Sequence, residues 1–326
     1  MNYFVFTCGD INGIGPEISI KTFNRLSGEK NKIIFVCPGN VFYKAVECVP
    51  ALSDFRIIND PADISTDTSV IDVIDFGNGK IKKGVPTKES GQISFDAIKI
   101  AHEIVSMFDN AALITAPISK EALKMAGIKY PGHTEILADL SLAENYAMMF
   151  LSDDMKCALA TIHVPVKNIP KLIKKETLSD TIKHVSDTLK KDFKINSPKI
   201  AVLGLNPHSG ENGAIGTEEL TEILPAIKKL KKGIAEGPFV PDAFFAMQMY
   251  KEFDCTIGMY HDQVLIPFKM LSFSQGVNFT SGLPFVRTSP DHGTAFGIAW
   301  KGIADEESML SAYKWAKVIL TNRNKK

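Results

Sequence analysis

The sequence has no excess charge and no long apolar segment. Its 37 basic and 37 acidic side chains cancel to a formal net charge of zero, which excludes the cationic field that nucleic acids and anionic membranes require. No apolar run approaches the ~20 residues of a membrane span, and the start of the chain lacks the basic segment of a secretory signal. The composition predicts a cytoplasmic protein without nucleic-acid or membrane partners.

Cysteine and arginine are both scarce. The five cysteines form no C-x-x-C pair, and an odd, scattered set favours reduced thiols over a disulfide framework. They lie at positions 8, 37, 48, 157 and 255. Lysine supplies nearly all of the basic side chains, since arginine is found only at positions 25, 56, 287 and 323. The place of each arginine is informative, because guanidinium groups bind planar anions through paired hydrogen bonds.

Short apolar runs alternate with amphipathic helical stretches throughout the chain. This alternation predicts α/β architecture with a largely parallel sheet, and 326 residues suffice for about two domains. The predicted strands are 2–7, 33–37, 111–115, 146–151, 157–162, 199–205 and 254–260. A predicted helix follows Pro16, a second covers residues 92–108, and the cleanest helical period begins at Thr217.

Two glycine-rich loops invite a nucleotide or anion interpretation. The loop from Gly9 to Glu17 has Pro16-Glu17 in place of the third glycine of a dinucleotide fingerprint, and a simple tight turn explains it equally well. The loop 206–217 joins a strand to a helix, and its N–H groups could hold an anion. Neither loop matches a Walker pattern.

Three of the seven histidines share a placement. His163, His208 and His261 each come just after a predicted strand, at the sheet edge where α/β proteins bind ligands. Three neutral imidazoles suit Zn²⁺, Co²⁺ or a similar metal and leave positions open for substrate. The alternative is that each ring makes only a loop hydrogen bond. His102 and His184 lie inside helical patterns, which favours structural or surface roles.

A second group of candidates could bind an anion. Arg287 stands among apolar residues in the segment 276–294, which is predicted to be a loop or extended region. Lys269 and Asn278 precede it, and the three side chains could form an anion cradle. A structural ion pair would explain Arg287 as well.

Together these segments resemble the PdxA family, the 4-hydroxythreonine-4-phosphate dehydrogenases of pyridoxal 5'-phosphate biosynthesis. The resemblance rests on motifs that occur in family order from position 9 to position 297. They are Gly13-Ile14-Gly15-Pro16-Glu17, Thr115-Ala116-Pro117-Ile118, Pro131-Gly132-His133-Thr134-Glu135, Gly204-Leu205-Asn206-Pro207-His208, Tyr260-His261-Asp262-Gln263, Gly282-Leu283-Pro284-Phe285-Val286-Arg287-Thr288 and Asp291-His292-Gly293-Thr294.

The resemblance implies roles for individual residues. It makes His163, His208 and His261 ligands of one divalent metal ion, which could be zinc, cobalt or magnesium. It makes the substrate contacts His133, Thr134, Lys269, Asn278 and Arg287. It gives Asp291, His292, Gly293 and Thr294 a role in binding NAD or NADP. Asp242, Lys269 or a metal-bound water could serve as the catalytic acid or base, and the sequence does not choose among them.

The resemblance also implies an architecture. The fold is expected to be similar to isocitrate and isopropylmalate dehydrogenases, with two α/β/α domains and the active site in the cleft between them. Residues 1–131 with 285–326 would form the first domain, and 132–284 would form the second, with the metal ligands and dimer contacts. The family is homodimeric, and one metal ligand comes from the partner chain.

The implied reaction is NAD-dependent oxidation of 4-phosphohydroxy-L-threonine at C3, followed by decarboxylation to 3-amino-2-oxopropyl phosphate. Departures from the family pattern at Ile11-Asn12, at Val264 after Gln263 and around Lys269 leave room for a paralogue that acts on threonate or erythronate 4-phosphate. A metal-dependent hydrolase or lyase is an alternative from another reaction class, and a non-catalytic sugar-phosphate sensor is a third hypothesis.

Overall fold

The protein is an α/β structure, described here by a computed structural model that covers residues 1–325. The strands are β1 (Tyr3–Thr7), β2 (Lys32–Val36), β3 (Asp54–Ile58), β4 (Val70–Ile74), β5 (Ala111–Thr115), β6 (Ala147–Leu151), β7 (Lys156–Leu159), β8 (Ile200–Leu203), β9 (Ala235–Phe239), β10 (Cys255–Gly258), β11 (Val277–Ser281) and β12 (Val286–Pro290). The helices are α1 (Gly15–Arg25), α2 (Gly39–Cys48), α3 (Lys88–Ser106), α4 (Lys120–Met125), α5 (His133–Leu140), α6 (Ile169–Leu172), α7 (Lys175–Phe193), α8 (Leu224–Lys229), α9 (Pro241–Ala246), α10 (His261–Ser272) and α11 (Glu307–Asn324).

The first of two compact units is formed by Met1–Glu144 and Leu283–Asn324. Its strands lie in the order β3-β4-β2-β1-β5-β12, and every neighbouring pair is parallel. Strands β2 and β5 are buried along their whole length, and β1 is buried except at its first residue. Coverage on both faces explains why these strands are apolar almost throughout rather than alternating.

The second unit is formed by Asn145–Gly282 together with Lys325. Its strand order is β11-β6-β7-β10-β8-β9. Strands β7, β10, β8 and β9 are mutually parallel, whereas β6 runs antiparallel to both of its neighbours. The carboxyl ends of β7, β10 and β8 therefore come side by side at one sheet edge.

The seven predicted strands are confirmed, although three of them end two or three residues earlier than predicted. The prediction missed β3, β4 and β9, and it described β11 and β12 only as a loop or extended region. The predicted regular helix after Thr217 begins instead as a wide π turn over Glu219–Ile223, with α8 after it. Pro225 supplies a reason, because its nitrogen has no hydrogen to donate to an earlier turn.

The chain passes between the two units at Glu144/Asn145 and at Gly282/Leu283. The sequence placed these boundaries at 131/132 and 284/285. Helix α5 consequently belongs to the first unit, where Ser141 at its end bonds His102 of α3 (Nε2 to Oγ, 3.2 Å).

All five cysteines are free thiols, as predicted. Burial raises the pKa of the Cys255 thiol to about 12 and the pKa of the Cys37 thiol well above its ordinary value. Both thiols are therefore protonated and unreactive at neutral pH. Among the helices of residues 1–325, none combines the length and the apolar character that crossing a membrane requires.

Candidate active site

The three histidines predicted to bind a metal follow three adjacent parallel strands. His163 comes after β7, His261 begins the helix after β10, and His208 comes after β8. Since β10 pairs with β7 on one side and with β8 on the other, all three residues lie at the same edge of the sheet. Strand neighbours are about 4.8 Å apart, so this edge is narrow enough for one small site.

Side-chain hydrogen bonds connect these strand ends. Thr161 donates to the carbonyl of Met259 (2.7 Å), which joins the end of β7 to the end of β10. Gln263 accepts from the Met259 N–H (2.6 Å) and donates to the Gly204 carbonyl (2.7 Å), which joins β10 to β8. Gln263 belongs to the motif Tyr260-His261-Asp262-Gln263, but the sequence alone assigned it no role.

His163 and His261 are neighbours at this edge. Their ring centroids are 6.2 Å apart, and their ring planes are inclined by 36°. The Nδ1 atom of His261 contacts Asp262 Oδ1 at 2.6 Å. This contact orients the ring and leaves Nε2 as the donor atom for a metal.

Within residues 1–325, no group of three or more His, Cys, Asp or Glu side chains is arranged to hold a metal ion. The three imidazoles predicted as ligands are a donor set that suits zinc or cobalt chemically. In the described chain His208 does not complete such a group with His163 and His261.

His208 occupies an unusual loop. Five consecutive residues, 208–212, have left-handed φ angles of 52°, 50°, 79°, 44° and 54°, and only Gly210 among them is glycine. Beneath the loop, the Glu219 carboxylate accepts hydrogen bonds from the backbone N–H groups of Leu205 and Asn206, both at 2.7 Å. Two backbone N–H groups at the start of the loop therefore hold a carboxylate of the same chain, and anion binding by the rest of the loop stays a prediction.

In the first unit, Arg287 is the centre of a buried polar cluster. Its side chain is 1% exposed, and its Nε and Nη2 atoms donate to the Thr115 hydroxyl at 3.2 and 2.7 Å. Burial lowers the pKa of Arg287 to about 9, while the negative charge of Glu135 acts in the opposite direction. The guanidinium is still charged at neutral pH, so it is a desolvated cation that would gain strongly from an anionic ligand.

His133 lies beside this cation at the start of α5. Its Nε2 atom is buried and has no hydrogen-bond partner among the described residues. Burial and the positive charge of Arg287 hold the pKa of His133 well below its ordinary value, although a hydrogen bond with the Ala116 backbone opposes this shift. The ring is therefore neutral, with one acceptor atom available to a ligand, and Thr134 next to it is buried as well.

The depressed pKa of His133 predicts a loss of stability in acid. The unfolded chain takes up a proton as the pH falls through about 6.5, whereas the folded chain does not until a much lower pH. The free energy of unfolding should therefore fall by up to about 1.4 kcal/mol per pH unit below that point. Urea denaturation at a series of pH values gives the free energy of unfolding as a function of pH. Its slope should be shallower for His133→Asn than for wild type, and an equal slope would contradict the depressed pKa of His133.

The remaining predicted contacts lie on separate elements. In the second unit, Lys269 is half-buried on α10 and Asn278 is half-buried on β11, opposite Phe150 of β6. Asp242 is exposed in the first turn of α9. His184 on α7 contacts the Ser281 hydroxyl (2.9 Å), as His102 contacts Ser141, so both helical histidines have structural partners.

The N-terminal glycine loop is filled by the protein itself. A side chain at Gly13 would meet the Thr294 carbonyl at 2.8 Å, and one at Gly15 would meet the Cys8 carbonyl at 2.2 Å. These glycines permit close packing of backbone, as the tight-turn interpretation expects. Gly293, beyond β12, has open space around it instead.

A family model and individual relatives both match nearly the whole chain. The family model described as pyridoxal phosphate biosynthetic protein PdxA matches residues 29–316. A 4-hydroxythreonine-4-phosphate dehydrogenase of Prosthecochloris aestuarii is 41% identical and is matched over 99% of this chain and 98% of its own. A D-threonate 4-phosphate dehydrogenase of Pectobacterium atrosepticum is 39% identical, over 95% of this chain and 97% of its own.

Solved structures with a similar fold lead to the same group of enzymes. The crystal structure of a 4-hydroxythreonine-4-phosphate dehydrogenase from Klebsiella pneumoniae matches with a TM-score of 0.84 at 36% identity, over 98% of both chains. An isocitrate dehydrogenase from Methylococcus capsulatus matches with a TM-score of 0.52 at 14% identity, over 99% of this chain and 87% of its own. The second likeness concerns the fold alone, and it confirms the predicted similarity to isocitrate dehydrogenases.

Proposed function

Because the chain belongs to the PdxA family and is a dehydrogenase of pyridoxal phosphate biosynthesis, we propose that it oxidises 4-phosphohydroxy-L-threonine at C3 with NAD or NADP. Decarboxylation to 3-amino-2-oxopropyl phosphate would follow. The observation that carries the proposal is the buried Arg287 guanidinium beside the neutral ring of His133. The five free thiols support a reducing compartment such as the cytoplasm.

Each substrate contact has a distinct task. Arg287, which is charged and desolvated, would bind a phosphate or carboxylate oxygen of the substrate. His133 would accept a hydrogen bond at Nε2, since that atom is an acceptor at neutral pH. Lys269 and Asn278 would supply a further cation and an amide, and Thr134 a hydroxyl. Holding a small substrate through several such groups would keep C3 in one orientation for reaction.

His163, His208 and His261 would hold a divalent ion such as zinc, cobalt or magnesium. When bound, that ion would acidify the C3 hydroxyl and stabilise negative charge during loss of CO₂, while the nicotinamide would accept the hydride. Asp291, His292, Gly293 and Thr294 would contact the nicotinamide cofactor, and the open space around Gly293 permits close approach of a ligand to the backbone.

The proton from the substrate hydroxyl needs an acceptor. Lys269 and Asp242 are the two side-chain candidates, and Lys269 is the more buried of them. We therefore favour Lys269, since a half-buried group is held closer to a bound substrate than an exposed one. Asp242→Asn should then keep most of the activity, whereas Lys269→Met should lose it.

We also propose a homodimer in which the partner chain supplies the missing metal ligand. Large apolar side chains are exposed along α10: Ile266 is 60% exposed, Met270 82% and Phe273 86%. Their spacing of four and three residues places them on one face of the helix. An apolar face of this kind beside Lys269 is typical of a subunit interface.

Met270→Glu should convert the dimer to a monomer in light scattering, because the interface would have to bury an unpaired carboxylate. The same variant should lose activity, since the metal site would be incomplete. Leu52→Glu is the matched control, because Leu52 is 74% exposed in the first unit. A monomeric wild-type chain with full activity would contradict the shared site.

The function is tested by measuring NADH or NADPH formation with a divalent metal and 4-phosphohydroxy-L-threonine. D-threonate 4-phosphate is the second substrate to measure, because one relative is named for it. A higher kcat/KM with the threonate would assign the chain to that paralogous activity. Release of phosphate without any nicotinamide would support a hydrolase, and no turnover with either compound would contradict both dehydrogenase assignments.

A further inference from the structure

The loop that carries His208 is strained. Each non-glycine residue in a left-handed conformation costs roughly 1–2 kcal/mol, and here His208, Ser209, Glu211 and Asn212 all adopt one. Strain of this kind persists only where the surrounding structure imposes it. Something outside the loop must therefore hold these residues in place.

Glu219 is the side chain best placed to impose this conformation. It is 2% exposed, and one carboxylate oxygen, Oε1, accepts from both Leu205 N–H and Asn206 N–H. The other oxygen, Oε2, accepts from the side-chain amide of Asn206 at 2.9 Å. These bonds fix the backbone immediately before His208.

The same carboxylate also limits the loop after His208. A Cβ atom at Gly210 would lie 2.7 Å from Glu219 Oε2, so glycine is required there for the loop to pass over the carboxylate. Glu219 thus touches the chain on both sides of His208. It begins the π turn Glu219–Ile223, and such wide turns occur frequently at functional sites.

We propose that Glu219 is a positioning residue for metal binding: its buried carboxylate fixes the backbone on which His208 stands, and so fixes where the His208 imidazole is presented at the sheet edge. This inference rests on the proposed metal site and goes beyond it, since Glu219 itself touches no metal. A residue that merely stabilised the fold would not affect metal affinity selectively.

Glu219→Gln is a sharp test because it preserves the size of the side chain. Glutamine can still accept from the two backbone N–H groups, but its NH₂ group then faces the NH₂ group of Asn206. Asn206 cannot turn around to relieve this, because its NH₂ also donates to Glu218 Oε2 at 2.8 Å. The loop must shift.

The matched control is Glu222→Gln, one turn further along the same segment. Glu222 also accepts a backbone N–H, from Lys175 at 2.8 Å, but it has no bond to the His208 loop. The measurement is Co²⁺ binding to the full chain, by calorimetry and by visible absorption. We expect the Kd of Glu219→Gln to rise about 10–100-fold, and that of Glu222→Gln to match wild type.

A second readout needs no metal. Amide hydrogen exchange of residues 205–217 should be faster in Glu219→Gln and unchanged in Glu222→Gln. A folded Glu219→Gln chain with wild-type Kd and exchange would overturn the positioning role alone. A wild-type chain that binds no Co²⁺ would overturn the metal site and the role of Glu219 in it.

If Glu219→Gln does not fold, Gly210→Ala replaces it as the test. This variant forces a methyl group against Glu219 Oε2 and should weaken Co²⁺ binding. An unchanged Kd for Co²⁺ would overturn the proposal.

Discussion

Replacing Arg287 by lysine should lower kcat/KM by about 10²- to 10⁴-fold. Hydrogen bonds between a charged donor and an anion contribute about 1.5–3 kcal/mol each, and lysine cannot reproduce the paired geometry of guanidinium. Two such bonds lost in the transition state give about that range, because each 1.36 kcal/mol is a factor of ten.

Burial adds a second consequence for the same variant. It lowers the pKa of Arg287 from 12.5 to about 9, and it would act in the same direction on the pKa of a lysine, whose ordinary value of about 10.4 is already lower. The charged fraction of the amine would therefore be larger at pH 6 than at pH 8. The residual activity of Arg287→Lys should therefore rise relative to wild type as the pH is lowered.

The control is Arg25→Lys. Arg25 pairs with Glu306 and Glu307 at the surface, where an ion pair contributes little, so its activity and melting temperature should match wild type. If Arg287→Lys folds normally and keeps wild-type kcat/KM across this pH range, Arg287 is a structural ion-pair partner and does not bind substrate.

The sequence predicted that the three histidines follow strand ends, because the relevant signal is local. An apolar run of four to six residues ends, and a histidine follows; His163, His208 and His261 all fit this description. Parallel strands place their carboxyl ends together, so the pattern implied a shared edge before any coordinates. The strand order β7-β10-β8, which makes the three residues neighbours, depends on pairings between distant segments and could not be read from the chain.

Other features were hidden because their partners are remote in sequence. Strand β12 carries Arg287, Thr288 and Ser289, all of them buried. So polar a composition is typical of a loop, and the partner that makes burial of Arg287 possible, Thr115, lies on a distant segment. Glu219 presents the same difficulty. In the sequence it falls within a helical period and resembles an ordinary solvated glutamate. Its role becomes visible only in the structure, where its carboxylate accepts from the Asn206 N–H at the start of the left-handed loop.

Replacing His208 by alanine should lower turnover by about 10³- to 10⁴-fold while leaving the fold intact. A catalytic metal contributes several kcal/mol of transition-state stabilisation, and loss of one of three protein ligands should empty the site at micromolar metal. His208 is exposed, and alanine meets the same left-handed strain that histidine does. The free energy of unfolding of the metal-free chain should therefore change by less than about 1 kcal/mol.

Added metal distinguishes this loss from a general defect. Excess Co²⁺ should raise the melting temperature of wild type, because a ligand that binds only the folded state stabilises it, and the rise should vanish in His208→Ala and in His261→Ala. His102→Gln serves as the control, since its contact with Ser141 lies in the first unit, and its response to Co²⁺ should equal that of wild type. A normal Co²⁺ response together with normal turnover in His208→Ala would remove His208 from the metal site, and the three strand-end histidines would then be loop residues that share a sheet edge without sharing an ion.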